Sequence, residues 1–168
     1  MLRFLTLLFI LSAAGCGSKN KTYNYKNHQF DAQVVSKLPL YDSIGRVLIQ
    51  NFAALQQEMK DHSSFDYGRS AAATLVNPRL PDSVAKKING FLKQLGSDYL
   101  SEFSVYKDST IRFSIRDTDL KEYGITARER LSYLPNGGRM QRREPPNKDT
   151  ILNSNWQYWI RFDEDEPF

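Results

Sequence analysis

The chain of 168 residues has one cysteine, Cys16, and two histidines, His28 and His62. A lone thiol closes no disulfide within the chain and builds no cysteine-ligated zinc site, and two separated histidines do not form an H-E-x-x-H pair. A glycine-rich phosphate loop and a G-x-S-x-G elbow are also absent from the sequence. The signatures of zincin proteases, P-loop enzymes and α/β-hydrolases are therefore missing. Carboxylate pairs such as Asp117 and Asp119 could in principle serve a glycosidase, yet their spacing does not set them apart from ordinary loop acids. No metal or cofactor is expected on these grounds. Charge is also modest, at +4, without the dense cationic field of a nucleic-acid binder, so nucleic acid is not an expected partner.

Apolar runs are short as well. The longest, Phe4-Leu5-Thr6-Leu7-Leu8-Phe9-Ile10-Leu11, follows a basic start at Arg3 and precedes Ser12-Ala13-Ala14-Gly15, after which Cys16-Gly17-Ser18-Lys19-Asn20-Lys21 is abruptly polar. A membrane-spanning helix needs about 20 apolar residues, so this order reads as a secretory signal over residues 1–15. Its end, Leu11-Ser12-Ala13-Ala14-Gly15-Cys16, resembles the lipobox of bacterial lipoproteins, departing from it at Ala13, where Leu is the usual residue. The resemblance covers only the first sixteen residues. It implies that the Cys16 thiol receives a diacylglyceryl group, that cleavage makes Cys16 the new N-terminus, and that the freed amine can take a further fatty acid such as palmitate. Two or more acyl chains hold a protein stably at a membrane. In lipoproteins of diderm bacteria, Gly17 and Ser18 stand where an acidic residue often retains a protein in the inner membrane. By that resemblance the chain is expected at the outer membrane, facing the periplasm.

Removal of residues 1–15 leaves 153 residues with a net charge of +3, since only Arg3 is lost from the charged set. That length suits a single domain held by its core alone. Residues 16–29 read as the lipidated cysteine and a flexible tether, because they hold almost no aliphatic side chains. The folded domain is expected over 30–168.

Within it the pattern predicts an α+β fold, with N-terminal helices packed on one face of a C-terminal antiparallel sheet of about four strands. From Asp42 or Ser43, Ile44, Val47, Leu48, Phe52, Leu55 and Met59 recur at helical spacing. A second helix starts at Pro81-Asp82, carries Val84, Ile88, Phe91, Leu92 and Leu95 on one side, and stops at Gly96. The segment from Tyr67 to Val76 is left open between a short helix and a small-residue packing segment. Beyond Tyr99 the period becomes two: Phe103 and Val105, then Ile111, Phe113 and Ile115, form a hairpin about Lys107-Asp108-Ser109. Further strands are predicted from about Thr126 to Leu134 and from about Asn155 to Phe162, and Asp117 to Ile125 could hold a helical turn.

Strand alternation then predicts a surface. If Phe103, Ile111, Phe113, Ile115, Ala127, Leu131, Tyr133, Trp156, Tyr158, Ile160 and Phe162 face the helices, the opposite side collects Arg112, Arg116, Arg128, Arg130, Trp159 and Arg161, with Tyr106. The alternative is an ordinary solvated sheet face, with Glu102 and Glu129 neutralising part of this charge and Trp159 packing under a loop. The loop from Pro135 to Asp149, with Arg139, Arg142 and Arg143, is either a solvated connection or a basic contact loop. The acidic end Asp163-Glu164-Asp165-Glu166 either folds back on the arginines or is solvated. Arginine forks match carboxylates and phosphates. The expected function is accordingly a non-catalytic envelope binding or scaffold module for a protein partner or an anionic ligand. An envelope hydrolase acting on glycan or lipid is the alternative.

Overall fold

A computed structural model of the chain describes residues 21–59, 62–68, 80–96, 102–137 and 143–164. Cys16, most of the segment Tyr67–Val76, Arg139, Arg142, Asp165 and Glu166 lie outside the described residues. Among the described residues four helices come first: α1 (Ala32–Ser36), α2 (Leu38–Gln50), α3 (Phe52–Met59) and α4 (Asp82–Leu95), with strand β1 (Ser64–Gly68) between the last two. Five strands follow, β2 (Glu102–Tyr106), β3 (Ile111–Leu120), β4 (Ile125–Tyr133), β5 (Lys148–Ile151) and β6 (Trp156–Glu164). All pairings are antiparallel, in the order β1-β2-β3-β4-β6-β5. The α+β arrangement is as the sequence pattern predicts, with the sheet extended by two short edge strands. No helix among the described residues is long and apolar enough to cross a membrane.

Local chemistry explains the helix limits. The chain enters α2 four or five residues before Asp42 and Ser43, because Pro39 suits a first helical turn, where its missing N–H costs nothing. The helix then breaks at Asn51 (φ −109°, ψ 17°), whose side-chain Nδ2 donates to the Val47 carbonyl at 2.8 Å. One expected helix is thus two. Helix α4 ends at Gly96, whose φ of +87° disfavours a side chain.

The apolar stripes of the helices and one face of the sheet share a single core. Buried Val34, Tyr41, Ile44, Leu48, Leu55, Met59, Val84, Ile88, Leu92 and Leu95 pack with Phe65, Tyr67, Phe103, Val105, Ile111, Phe113, Leu131, Trp156 and Tyr158. Each fully buried side chain of this kind contributes about 1.5–3 kcal/mol. Trp156 also ties sheet to helix by donating from Nε1 to Asp42 Oδ1 at 3.2 Å.

The helices leave the β3–β4 hairpin end of the same face to a second cluster. There Ile125, Ala127, Ile160 and Phe162 are covered by Tyr23, Tyr25, Phe30, Leu120 and Tyr123. Residues 21–29, which composition alone suggests are a tether, are therefore packed on the sheet. Tyr25 meets Phe162 edge-on at 4.9 Å and Tyr23 meets Tyr123 at 5.0 Å. Asn24 caps a short 3-10 turn at Tyr25–Asn27, and Lys148 Nζ donates to the carbonyls of Lys26 and His28. The aromatics of this segment supply the apolar area that its missing aliphatics do not.

Candidate binding face and the buried ion network

Register decides which side each arginine takes. Strand β3 pairs with β4 as Phe113↔Leu131 and Ser114↔Arg130, then shifts so that Arg116↔Glu129 follows directly. Ile115 is the extra residue of a β-bulge, and a bulge breaks strict alternation. Ile115 and Arg116 consequently both turn to the core side. The expectation that Arg116 stands on the solvent face with Arg112 is corrected by this single residue.

Glu129 is likewise on the core side, in step with Ala127 and Leu131, and is fully buried. It does not neutralise the solvent-face arginines. Its Oε1 accepts from Arg116 Nη2 at 2.6 Å and Nε at 2.9 Å, and its Oε2 accepts from the Tyr158 hydroxyl. His28 Nε2 lies 3.7 Å from Oε1, while its Nδ1 is 2.9 Å from the Tyr23 hydroxyl. Asp31 Oδ2 stands 3.5 Å from Arg116 Nη1, and the Asp31 amide donates to the Tyr158 hydroxyl at 3.4 Å. Burial pushes Glu129 toward protonation, but the nearby His28 ring, hydrogen bonds from Tyr158 and Arg116 and the charge of Arg116 outweigh it, holding the carboxyl below its ordinary range. Burial, followed by the neighbouring Glu129, pushes the Tyr158 phenol upward. Both Glu129 oxygens are engaged, so this group works as a structural counter-ion that joins the N-terminal segment to the sheet.

The opposite face carries the other predicted residues. Tyr106, Arg112, Arg128, Arg130, Trp159 and Arg161 alternate out of β2, β3, β4 and β6 on this side. Every buried apolar side chain of the four helices belongs to the core on the other side. Two environments divide the arginines. Toward the β3–β4 hairpin end, Arg128 and Arg161 share Asp163, with Nε to carboxylate distances of 2.8 and 2.7 Å, and Arg130 Nη1 donates to Asp117 Oδ1 at 2.5 Å. Among the described residues of the acidic end, Asp163 folds onto the arginines.

Further up, Arg112 donates from Nη1 to the Tyr106 hydroxyl at 3.1 Å and lies over the rings of Tyr106 (5.0 Å) and Trp159 (5.4 Å). Arg143, from the loop before β5, stacks on Trp159 at 3.8 Å. Trp159 is only 3% exposed beneath them, and its Nε1 donates to Ser132 Oγ at 3.1 Å. Among the described residues neither the Arg112 nor the Arg143 guanidinium makes an ion pair within 4.0 Å, although Asp149, opposite Trp159 in the sheet, accepts from the Arg143 backbone N–H at 3.2 Å, and Arg112 Nε is buried without a hydrogen-bond partner. Burial first, then the like charges of Arg112 and Arg161, lowers the pKa of Arg143 against the smaller opposing pull of Asp149 and Asp163. Positive charge is therefore concentrated at the Arg112–Trp159–Arg143 stack. A recess of about 580 Å³ opens beside it between Arg143, Phe30, Lys148 and Asp149.

Arg143 is the functional candidate that strand alternation could not reach, because it sits in an irregular loop. Its only signal in the sequence is membership of a basic stretch. Asp117 is engaged by Arg130, and Asp119 by Lys121 at 3.7 Å, so the acids singled out for hydrolysis lie in ion pairs. His62 is exposed beyond α3. No protein-family model, curated protein or solved structure matches the chain.

Proposed function

We propose that this chain is a bacterial lipoprotein anchored through acylated Cys16, and that its domain is a non-catalytic binding module facing the periplasm from the outer membrane. Its Arg/Trp sheet face receives an anionic partner, best fitted by the carboxylates of an envelope protein. The observation that carries this reading is the Arg112–Trp159–Arg143 stack, where two guanidinium groups share one indole and neither makes an ion pair with a carboxylate among the described residues. Stacking fixes the planes of the forks and leaves their edges to accept a carboxylate or phosphate. Tyr, Trp and Arg are also the residues that dominate the centres of protein interfaces. Exposed Ile151 adds apolar area at the rim, on the strand next to Trp159.

The hydrolase alternative has less support. A glycosidase needs two carboxylates free to face a substrate, whereas Glu129, Asp117 and Asp119 are each engaged by a cation.

The test is calorimetric titration of the domain, starting at Lys19 so that Lys21 and Tyr23 keep their contacts, with a poly-glutamate peptide. Binding that is lost in an Arg112→Gln, Arg143→Gln double variant supports the proposal. Equal binding by both proteins sinks it. For the anchor, Cys16→Ser is expected to release the protein from membranes and to remove the lipid mass, and a variant that stays bound would refute acylation at that residue.

A further inference from the structure

We propose that the domain stands on the bilayer with its β3–β4 hairpin end against the lipid headgroups, which holds the Arg112–Trp159–Arg143 stack away from the membrane. This orientation rests on the anchor at Cys16. It follows from where the packed chain begins. Lys21 pairs with Glu122 in the hairpin turn at 3.0 Å, Tyr23 packs on Tyr123, and His28 and Asp31 are tied to the buried Glu129–Arg116 pair. The N-terminal segment therefore leaves the domain at the hairpin end.

Only five peptide steps separate Cys16 from Lys21. Fully extended they reach about 17 Å. Strand β4 from Ile125 to Tyr133 is longer, at about 27 Å. An inverted domain would lift Lys21 farther from the bilayer than this leash allows. Trp159 pairs with Arg130, five residues up β4 from Ile125, and so stands about 17 Å above the hairpin end. With the hairpin end down, the stack is presented to a partner in solution, whereas a domain lying on its Arg/Trp face would bring positions 121 and 154 equally close to the bilayer.

The hairpin end itself suits an interface. Lys21 and Lys121 are 67% and 86% exposed at the side chain, and the half-buried Tyr23 and Tyr123 pack on each other at the same end. Gly124 closes the turn at φ +63°. Glu122 and Asp119 balance the two lysines. Orientation is thus imposed by the leash and does not require anionic lipid.

The experiment uses the full lipidated protein in vesicles. Acylation occupies the native thiol, so one introduced cysteine is the single labelling site. Lys121→Cys at the hairpin and Ser154→Cys at the opposite end each carry a fluorophore, and a headgroup spin-labelled lipid is the quencher. Quenching is expected to be severalfold stronger at position 121, and unchanged when anionic lipid is added to phosphatidylcholine. Equal quenching, or stronger quenching at position 154, on a chain whose lipid mass is verified overturns the orientation alone. Absence of the lipid mass overturns the anchor and the orientation with it. Doubling the leash with Gly/Ser residues between Lys19 and Asn20 is expected to narrow the difference, and an unchanged difference contradicts control by the leash.

Discussion

The two faces of this sheet use the same residue types to opposite ends. On the core face, Arg116, Glu129, Tyr158 and His28 form a network in which both carboxylate oxygens accept hydrogen bonds and a cation lies beside them. On the other face, Arg112 and Arg143 stack on Trp159 and neither guanidinium makes an ion pair among the described residues; Asp149 nearby accepts from the Arg143 backbone N–H. The difference is where the countercharge sits. Satisfied ions in a buried setting hold elements together, whereas guanidinium groups stacked on a ring keep free donors. One residue of bulge, Ile115, assigns Arg116 to the first group instead of the second.

The largest expected effect separates the faces by stability. Arg116→Ala leaves Glu129 buried without its cation, and costs about 3 kcal/mol, the low end for a broken buried pair because Arg116 is itself half exposed. Arg112→Gln removes no ion pair and is expected to change stability by less than about 1 kcal/mol. Urea unfolding of the two variants checks the contrast, and similar losses would erase it.

Next comes acid sensitivity. Glu129 has a folded pKa below its unfolded value of about 4.3, so the unfolded chain takes up the proton first. Its stabilisation is complete above the unfolded pKa and is lost as pH falls through the folded one. Thermal melts between neutral and strongly acidic pH are expected to show this acid limb in the wild type. Glu129→Gln, less stable at neutral pH, should show a shallower one. A variant with an unchanged slope would remove Glu129 from the account.

A smaller effect is expected for Tyr158→Phe, which deletes one donor to Glu129 and costs about 1–2 kcal/mol in the same unfolding assay. The smallest is at the boundary of the open face. Asp163→Asn unpairs Arg128 and Arg161 at a cost under about 1 kcal/mol. It should tighten binding of the poly-glutamate peptide, because a built-in competitor is removed; weaker binding would mean that Asp163 helps to form the site.

Much of this arrangement is legible in the sequence, and the exceptions have physical causes. Helix α4 is marked at both ends by Pro81-Asp82 and Gly96, and the β2–β3 hairpin by clean alternation about Lys107-Asp108-Ser109. Edge strand β1 had a signal in Phe65 and Tyr67, spaced by two, but a run of five residues is short. Edge strand β5, Lys148-Asp149-Thr150-Ile151, has no alternation at all. The inward side of Glu129 was already implied by burying Ala127 and Leu131, two residues to either side. The bulge at Ile115 was not, since nothing in Ser114-Ile115-Arg116 marks it. Packing of residues 21–29 was hidden because apolar content there is carried by Tyr23 and Tyr25 within a polar segment. Arg143 reaches Trp159 through a long connection, a relation that periodicity does not encode.

The chain has two tryptophans, and each reports on one face: Trp156 donates to Asp42 in the core, and Trp159 to Ser132 beneath the two arginines. The most direct measurement is therefore the pair of indole N–H resonances of the 15N-labelled domain during titration with the poly-glutamate peptide. The Trp159 resonance is expected to shift and saturate while that of Trp156 stays in place, and the shift is expected to disappear in the Arg112→Gln, Arg143→Gln variant. A Trp159 resonance that does not move, or that moves equally with Trp156, would contradict binding at the stack.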